Sequence, residues 1–273
     1  MQGIWSEVPV KVKNALKHDG HERKTMHLIT ALFAILVAAM IGPAAAFEEG
    51  VGCEAREHGG ISALVCTVDV AKVDLRLFHT RTDGKPYGGF GPLVRELTDD
   101  GKRLVFAMNG GMYHEDLSPV GLYIEGGKTL KSANTNAGPG NFHMLPNGVF
   151  WIDGDKAGVS ETRAFLKSGR KPAYATQSGP MLVIGGKLHH RFLVDSTSRK
   201  TRNGVGIRDG GKTAVFALSN GRVTFHEFAT LFRDELGCND ALYLDGTISS
   251  VYAPLANHYD VLFPMGPIIA VVD

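Results

Sequence analysis

Cysteine is scarce in this sequence, with three residues in 273, and none of them has a metal-binding spacing. The absence of Cys-x-x-Cys and His-x-x-x-His pairs excludes the common zinc-binding patterns. Cys53 and Cys66 flank a segment centred on Gly59-Gly60. Two strands meeting at that turn would bring the thiols together, so we expect a disulfide in an oxidising compartment. Cys238 is left over, and we expect a buried thiol rather than a nucleophile.

An excess of charge of one sign is also missing. Lys and Arg number 29 against 28 Asp and Glu, which provides no basic surface for a nucleic acid, so no nucleic-acid partner is expected. The Gly-x-Ser-x-Gly signature of a nucleophile elbow is absent as well, since Ser178 lies in Gln-Ser-Gly-Pro. No repeat and no linker interrupts residues 47–273, so we expect one domain there.

Long apolar runs are rare, and the one that stands out lies near the N-terminus. Residues 28–41 contain a single polar side chain, Thr30, follow a basic segment, and precede Ala44-Ala45-Ala46. This layout predicts a secretory signal peptide over residues 1–46, with a periplasmic or secreted mature chain. The run is shorter than the roughly 20 residues of a membrane helix, so no stable span is expected after cleavage. An uncleaved N-terminal anchor is the alternative.

Glycine is abundant, with 34 residues separating many short apolar segments. This pattern predicts an α+β fold dominated by antiparallel β-hairpins with a few packing helices. The clearest helix signal is the capping box Thr224-Phe-His-Glu227, which precedes an apolar stripe that ends at Gly237. The apolar segment 205–208, the turn at Gly210-Gly211 and segment 213–218 predict a hairpin.

Less distinct signals give further expectations. Residues 142–145 and 149–152 are predicted to pair as a hairpin around Pro146-Asn147-Gly148, and Ser160 is predicted to cap a short helix. A helix is predicted to start at Pro92, and His189-His190 is predicted to be a solvated turn.

Polar side chains stand at three predicted strand ends. The apolar segment 241–244 ends in Asp245-Gly246, segment 104–108 runs into Asn109-Gly110-Gly111, and Arg202-Asn203 precede segment 204–207. Asp245 offers an acid, a base or a group that binds hydroxyls, Arg202 matches a phosphate or carboxylate, and Asn109 suits sugar hydroxyls or an amide. The combination predicts a site for an oxygen-rich substrate.

Glycosidic chemistry normally needs a second carboxylate. Glu115 and Asp116 are the nearest candidates in the sequence, in the loop after Asn109. Carboxylate and amide oxygens would also suit a divalent cation such as Ca²⁺ or Mg²⁺, although no dedicated metal loop is present and no metal ligands are assigned.

The ordered set of motifs resembles the phosphodiester glycosidase family. The matching segments are Asn109-Gly-Gly-Met-Tyr113, Gln177-Ser-Gly-Pro180 with Gly185-Gly186-Lys187, Thr201-Arg-Asn-Gly-Val-Gly206 and Leu242-Tyr-Leu-Asp-Gly246. The resemblance implies that Asn109, Arg202 and Asp245 are catalytic. It implies substrate-binding roles for a second set of residues, namely Gly110, Gly111, Tyr113, His114, Gln177, Ser178, Asn203 and Gly246. The chain departs from the family pattern at Asn203 and at Thr247-Ile248, which puts the substrate in question more than the fold.

The resemblance implies an exported hydrolase that cleaves a sugar from phosphate in a phosphodiester of envelope or extracellular glycans. Asp245 would act as a base on water or as a nucleophile, and Arg202 would hold the phosphate. Two alternatives remain, which are a non-catalytic glycan-binding envelope protein and a hydrolase of ordinary glycosides.

Overall fold

The computed structural model describes residues 48–246, 248–260 and 263–273. The predicted signal peptide, residues 1–46, lies outside the described residues. Within them, no helix combines the length and the apolar character that crossing a bilayer would require.

The described chain is an α+β domain built mainly from antiparallel strands, as predicted. The strands are β1 Val51–His58, β2 Ile61–Asp69, β3 Asp74–Phe78, β4 Leu104–Asn109, β5 Tyr123–Glu125, β6 Lys128–Lys131, β7 Gly148–Asp153, β8 Lys156–Glu161, β9 Tyr174–Ser178, β10 Met181–Ile184, β11 Lys187–Leu188, β12 Asn203–Arg208, β13 Thr213–Ser219, β14 Asp240–Asp245, β15 Val251–Ala253, β16 His258–Tyr259 and β17 Ile268–Val272. The α-helices are α1 Phe90–Asp99, α2 Thr162–Lys167 and α3 Phe225–Thr230.

These strands form three sheets. The largest has seven strands in the order β1-β2-β13-β12-β14-β10-β11. A second sheet has the order β16-β15-β4-β17-β3, and a third has the order β6-β5-β9-β7-β8. Because sheet neighbours are antiparallel, the end of one strand lies beside the start of the next, and polar residues far apart in the sequence meet at one edge.

One face of each sheet contributes to a shared apolar core. Phe216 from the first sheet, Phe106 from the second and Phe150 from the third are fully buried in it. The opposite face of each sheet is covered by one helix, as in the packing of Phe228 of α3 on the first sheet. Leu93 of α1 and Phe165 of α2 do the same for the second and third sheets.

The N-terminal hairpin forms as predicted. Strands β1 and β2 pair from Val51 to His58, and Cys53 lies directly opposite Cys66. The two cysteines form a disulfide, and both glycines of the turn, Gly59 and Gly60, have positive φ angles that only glycine adopts easily.

Removing this disulfide is expected to lower the free energy of unfolding by about 2–3 kcal/mol, because the bond closes a short loop in the unfolded chain. The test is chemical denaturation of the protein carrying both Cys53→Ser and Cys66→Ser. Reducing agent should lower the stability of the wild type and leave the double variant unchanged. Equal sensitivity of both proteins to reductant would contradict the prediction.

Two local predictions are wrong. Residues 141–143 form a 3-10 turn rather than a strand, and β7 pairs with β8 around Gly154 instead. The Glu161 side chain, not that of Ser160, caps α2 by accepting a hydrogen bond from the Ala164 amide. In both cases the sequence pattern located the element within a few residues but not the residues that form it. At the cap, a side-chain oxygen of Ser160 or of Glu161 could accept from the same backbone amides at the start of α2.

Two further predictions need correction. Helix α1 begins at Phe90, so Pro92 lies in its first turn rather than at its start. His189 is buried with 2% exposure, whereas His190 is exposed, so only the second histidine is solvated. His189 stacks between His190 and Phe192, and burial lowers its pKa to about 4.

Candidate functional site

The three polar strand ends predicted from the sequence meet at one edge of the fold. Strand β4 ends at Asn109, β12 begins at Asn203, and β14 ends at Asp245, which is opposite Asn203 in the sheet. The side-chain amide of Asn203 connects them. Its Nδ2 donates to Asn109 Oδ1 at 2.6 Å, and its Oδ1 accepts from the Asp245 amide at 2.8 Å. Asn203 therefore ties the first sheet to the second at this edge.

Asn109 is fully buried and held from two sides. Besides Asn203, the Ser250 amide donates to its Oδ1 at 2.8 Å. Its Nδ2 has no hydrogen-bond partner among the described residues. A buried donor without a partner is costly, so this amide is well suited to a ligand oxygen.

Asp245 is a partly buried carboxylate in surroundings that disfavour its charge. Burial raises its pKa, opposed by the Gly246 amide, which donates to Oδ1 at 2.6 Å. No Lys, Arg or His of the described residues forms an ion pair with it. Its negative charge raises the pKa of two nearby tyrosines, Tyr113 and Tyr243. A desolvated carboxylate that is not neutralised by a cation is suited to accepting a proton.

Arg202 is buried, with 1% exposure, beneath aromatic side chains. Its Nε donates to Val223 O at 3.0 Å and its Nη2 to Ser198 O at 3.2 Å. Its Cζ lies 3.6 Å from the centre of the Phe225 ring and 5.6 Å from that of Tyr243. Burial lowers its pKa, and the nearby Tyr243 phenol opposes that shift. In the described chain no carboxylate shifts its pKa, and its buried Nη1 has no hydrogen-bond partner of normal geometry.

Tyr243 lies near both charged groups, although the sequence did not identify it as a site residue. Its phenol senses both the positive charge of Arg202 and the negative charge of Asp245, while burial raises its pKa to about 12. The available signal was strand periodicity, since residues two apart on a strand point to the same face. Tyr243 therefore shares the face of Asp245, while Leu242 and Leu244 enter the core.

The glycines of the predicted motifs lie where the backbone is crowded. A Cβ on Gly111 would lie 2.3 Å from Gln177 O, and the Gly111 amide donates to Thr176 Oγ1 at 3.2 Å. The Gly110 amide donates to Pro267 O at 2.6 Å. A Cβ on Gly246 would lie 2.5 Å from the Tyr243 hydroxyl. These positions require glycine for close packing around the site.

Gly246→Ala is expected to lower turnover roughly ten- to hundredfold, because its methyl group displaces the buried Tyr243 phenol and shifts the site geometry. The control is Gly221→Ala, where a Cβ would have nothing within 4 Å. Steady-state kinetics and thermal melting of both variants make the comparison. Equal activity of the two variants would refute the expected clash.

The side chains of Gln177 and Ser178 form hydrogen bonds with other parts of the protein. Gln177 Oε1 accepts from the amides of Leu122 and Asn134, both at 2.9 Å, and its Nε2 donates to Asn134 O at 2.8 Å. Ser178 Oγ donates to Leu244 O at 2.8 Å. The first arrangement anchors the polar loop 132–140 beside the site, and the second anchors β14, so both residues can act by positioning.

The loop after Asn109 is more exposed. The Tyr113 hydroxyl donates to Pro264 O at 3.0 Å, and burial raises the Tyr113 pKa. His114, Glu115 and Asp116 are exposed, and Asp116 accepts hydrogen bonds from the Ser118 amide and hydroxyl. Neither Glu115 nor Asp116 is among the groups that shift the pKa of Asp245.

The described residues do not bring together three His, Cys, Asp or Glu side chains in a set that could hold a metal ion. A cation at the site stays a prediction. A cavity of about 530 Å³ is lined in part by Glu48, Lys72, Lys102, Val105 and Asp273. It lies at the start of β4, the opposite end of that strand from Asn109, so it is separate from the candidate site.

Two sequence comparisons found matches to this chain. The profile of the phosphodiester glycosidase family matches residues 102–264, more than half of the chain. The uncharacterized protein YigE of Escherichia coli K12 is 39% identical over 186 residues, which is 68% of this chain and 72% of that protein.

Comparisons with solved structures agree on the fold. The catalytic domain of zebrafish N-acetylglucosamine-1-phosphodiester alpha-N-acetylglucosaminidase, auto-inhibited by its pro-peptide, aligns with a TM-score of 0.53 at 13% identity. The alignment covers 81% of each chain. A hypothetical protein from Synechocystis aligns with a TM-score of 0.52 at 14% identity. This chain covers 62% of its length, less than two thirds, while 82% of this chain is aligned. At such identities the likeness concerns the fold alone.

The family profile covers Asn109, Arg202 and Asp245, and the identity to YigE extends over two thirds of the chain. The chain therefore belongs to the phosphodiester glycosidase family.

Proposed function

We propose that this protein is an exported hydrolase that cleaves the bond between a sugar and phosphate in a phosphodiester of envelope or extracellular glycans. Family membership supports glycosidase chemistry. The observation that carries the phosphate assignment is the buried Arg202 guanidinium, whose Nη1 has no partner in the described chain.

Burying a guanidinium without a carboxylate is costly unless something else compensates its charge. Phe225 offers a π face at 3.6 Å, and two backbone carbonyls accept hydrogen bonds, but none of these groups carries a negative charge. A singly charged phosphodiester would provide that charge and would accept a hydrogen bond from Nη1. The cost of burial is then offset when substrate binds.

In the proposed reaction, water attacks the anomeric carbon and the bond from that carbon to the phosphate oxygen breaks. The phosphate monoester leaves with the bonding electron pair, and Arg202 stabilises its growing negative charge. Asp245 takes the proton of the attacking water. A phosphate monoester is a good leaving group, which reduces the need for an acid beside Asp245.

The amide cluster supports a sugar subsite beside Asp245. Asn109 presents a buried Nδ2 with no partner among the described residues, and Asn203 holds Asn109 and the Asp245 backbone in register. Tyr113, whose pKa is raised by burial and by the Asp245 charge, would pack against the ring of a bound sugar. Gly110, Gly111 and Gly246 let the backbone pack closely beside this subsite.

The experiment compares one sugar presented as its phosphodiester and as its aryl glycoside. Preference for the phosphodiester by the wild type, lost in Arg202→Met, supports the proposal. Equal turnover of both substrates, or a preference for the aryl glycoside, would instead support hydrolysis of ordinary glycosides.

A second candidate is a non-catalytic glycan-binding envelope protein. It is favoured by the exposed positions of Glu115 and Asp116, the two carboxylates that the sequence offers as partners of Asp245. A glycan array with tight binding, combined with no turnover of any sugar phosphodiester, would select this candidate.

Export is part of the proposal. It is supported by the signal-peptide pattern of residues 1–46 and by the Cys53–Cys66 disulfide, which persists in oxidising compartments. Detection of the mature chain in the periplasm or culture medium, with an N-terminus near residue 47, would support export. Retention of the full-length chain in the cytoplasm would contradict it.

A further inference from the structure

We propose that Tyr243 and Phe225 are positioning residues that hold the Arg202 guanidinium in the orientation in which its free Nη1 meets an anionic phosphate group. This inference rests on the proposed function for its ligand class. It assigns a role to Phe225, which lies outside the ordered motifs, and to Tyr243, which lies within one of them but was given no role.

The first support is geometric. The Phe225 ring lies under the guanidinium at 3.6 Å, the distance of a close cation–π stack. Tyr243 meets Phe225 edge to face, with ring centres 4.9 Å apart and planes at 79°. The two rings form a corner, defined here as the aromatic socket, that restricts the guanidinium on two sides.

The second support is the backing of this socket. Phe192 stacks on the outer face of Phe225 at 5.0 Å and 5°, and His189 stacks on Phe192 at 4.7 Å and 21°. The segment that carries these two rings returns at Ser198, whose carbonyl accepts from Arg202 Nη2. Phe225 therefore cannot move away from Arg202 without disturbing several stacked side chains.

The third support is the environment of the Tyr243 hydroxyl. It faces the Arg202 guanidinium and the side chain of Asn141, and a Cβ on Gly246 would lie 2.5 Å from it. The hydroxyl therefore lies among Arg202, the turn that follows Asp245 and the loop that ends at Asn141. A guanidinium has donors only, so the tyrosine oxygen is the group suited to orient it.

In this arrangement, different atoms of Arg202 hold the guanidinium in place and bind the ligand. Backbone carbonyls fix Nε and Nη2, the aromatic socket fixes the guanidinium plane, and Nη1 is left for the ligand. Loss of the tyrosine hydroxyl should then weaken phosphate binding while the Asp245 chemistry continues. Loss of the Phe225 face should do the same more strongly.

The test is a double-mutant cycle with inorganic phosphate as the probe, followed by kinetics on a sugar phosphodiester. Tyr243→Phe keeps the ring and is expected to weaken phosphate binding and raise KM by about tenfold, with kcat changed less than about threefold. Phe225→Leu is expected to have a larger effect of the same kind. In the Arg202→Met background, Tyr243→Phe should have no further effect on phosphate binding or KM.

Tyr123→Phe is the matched control, because Tyr123 is another fully buried strand tyrosine whose hydroxyl donates to a carboxylate, Glu125, at 2.8 Å. It should change thermal stability without changing phosphate affinity. Melting curves of every variant separate loss of folding from loss of binding.

An undiminished effect of Tyr243→Phe in the Arg202→Met background would overturn the positioning role even if the enzyme cleaves phosphodiesters. If the effects of Tyr243→Phe and Arg202→Met on phosphate binding are coupled but the wild type does not cleave the phosphodiester, the positioning role is supported and the proposed hydrolysis fails. A wild-type protein that binds no phosphate and cleaves no phosphodiester would overturn both.

Discussion

Asp245→Asn is expected to reduce turnover of a sugar phosphodiester by about a thousandfold, because the amide cannot take a proton from water. The substitution preserves size and shape, and the asparagine oxygen can still accept the hydrogen bond that the Gly246 amide now donates to Asp245 at 2.6 Å. The measurement is kcat on the phosphodiester, with circular dichroism to verify the fold.

The same variant should be as stable as the wild type or more stable at neutral pH. Burial raises the pKa of Asp245 in the folded protein, so the ionised carboxylate opposes folding. Its unfavourable contribution to the free energy of folding decreases as the pH falls through the raised pKa of the folded state. The contribution disappears once the pH is also below the pKa of the unfolded chain, near 3.9. Asparagine removes this dependence.

Asp240→Asn is the control, since Asp240 begins the same strand and its Oδ1 accepts from the Gly185 amide at 3.0 Å. It should leave turnover within about threefold of the wild type. Near-normal turnover in Asp245→Asn, or an equal loss in Asp240→Asn, would remove Asp245 from the proposed chemistry.

Arg202→Met is expected to lower kcat/KM for a phosphodiester by about a hundred- to a thousandfold, through loss of charge stabilisation on the leaving phosphate. Methionine fills much of the same volume under Phe225 and leaves no charge buried. Since no carboxylate in the described residues pairs with Arg202, the substitution orphans no acid and should cost little stability.

Arg208→Met serves as the control at the opposite end of β12, where Arg208 Nη1 donates to Leu236 O at 3.3 Å. It should retain kcat/KM within about threefold. Comparable losses in the two arginine variants, or no loss in Arg202→Met, would contradict the phosphate assignment. Kinetics at matched ionic strength keep general charge effects out of the comparison.

Much of the architecture could be predicted from local patterns. The hairpin around Gly59-Gly60, the capping box at Thr224 and the hairpin around Gly210-Gly211 depend on residues close in sequence, and all three are present. The turn after residue 145 was misjudged because two competing hairpins share strand β7, and the choice depends on the partners that the whole sheet offers.

The site was only partly accessible from sequence. Strand-end positions grouped Asn109, Arg202 and Asp245, and antiparallel pairing explains why such ends meet. The depth of Arg202 could not be anticipated, because it depends on Phe225 from a different element. Tyr243 was overlooked because it lies in an apolar segment that predicts a buried strand. The role of its hydroxyl depends on neighbours that are distant in the sequence. Gln177 is the opposite case, because it was expected to bind substrate but its side chain forms its hydrogen bonds within the protein.

Hydrolysis of a sugar phosphodiester in ¹⁸O-labelled water, followed by ³¹P NMR, tests the central claim most directly. Attack at the anomeric carbon places the label on the sugar, so the released phosphate monoester should show no isotope shift, and Asp245→Asn should release almost none of it. Label in the phosphate group would show that the phosphorus–oxygen bond breaks instead, and would contradict glycosidase action at Asp245 and Arg202.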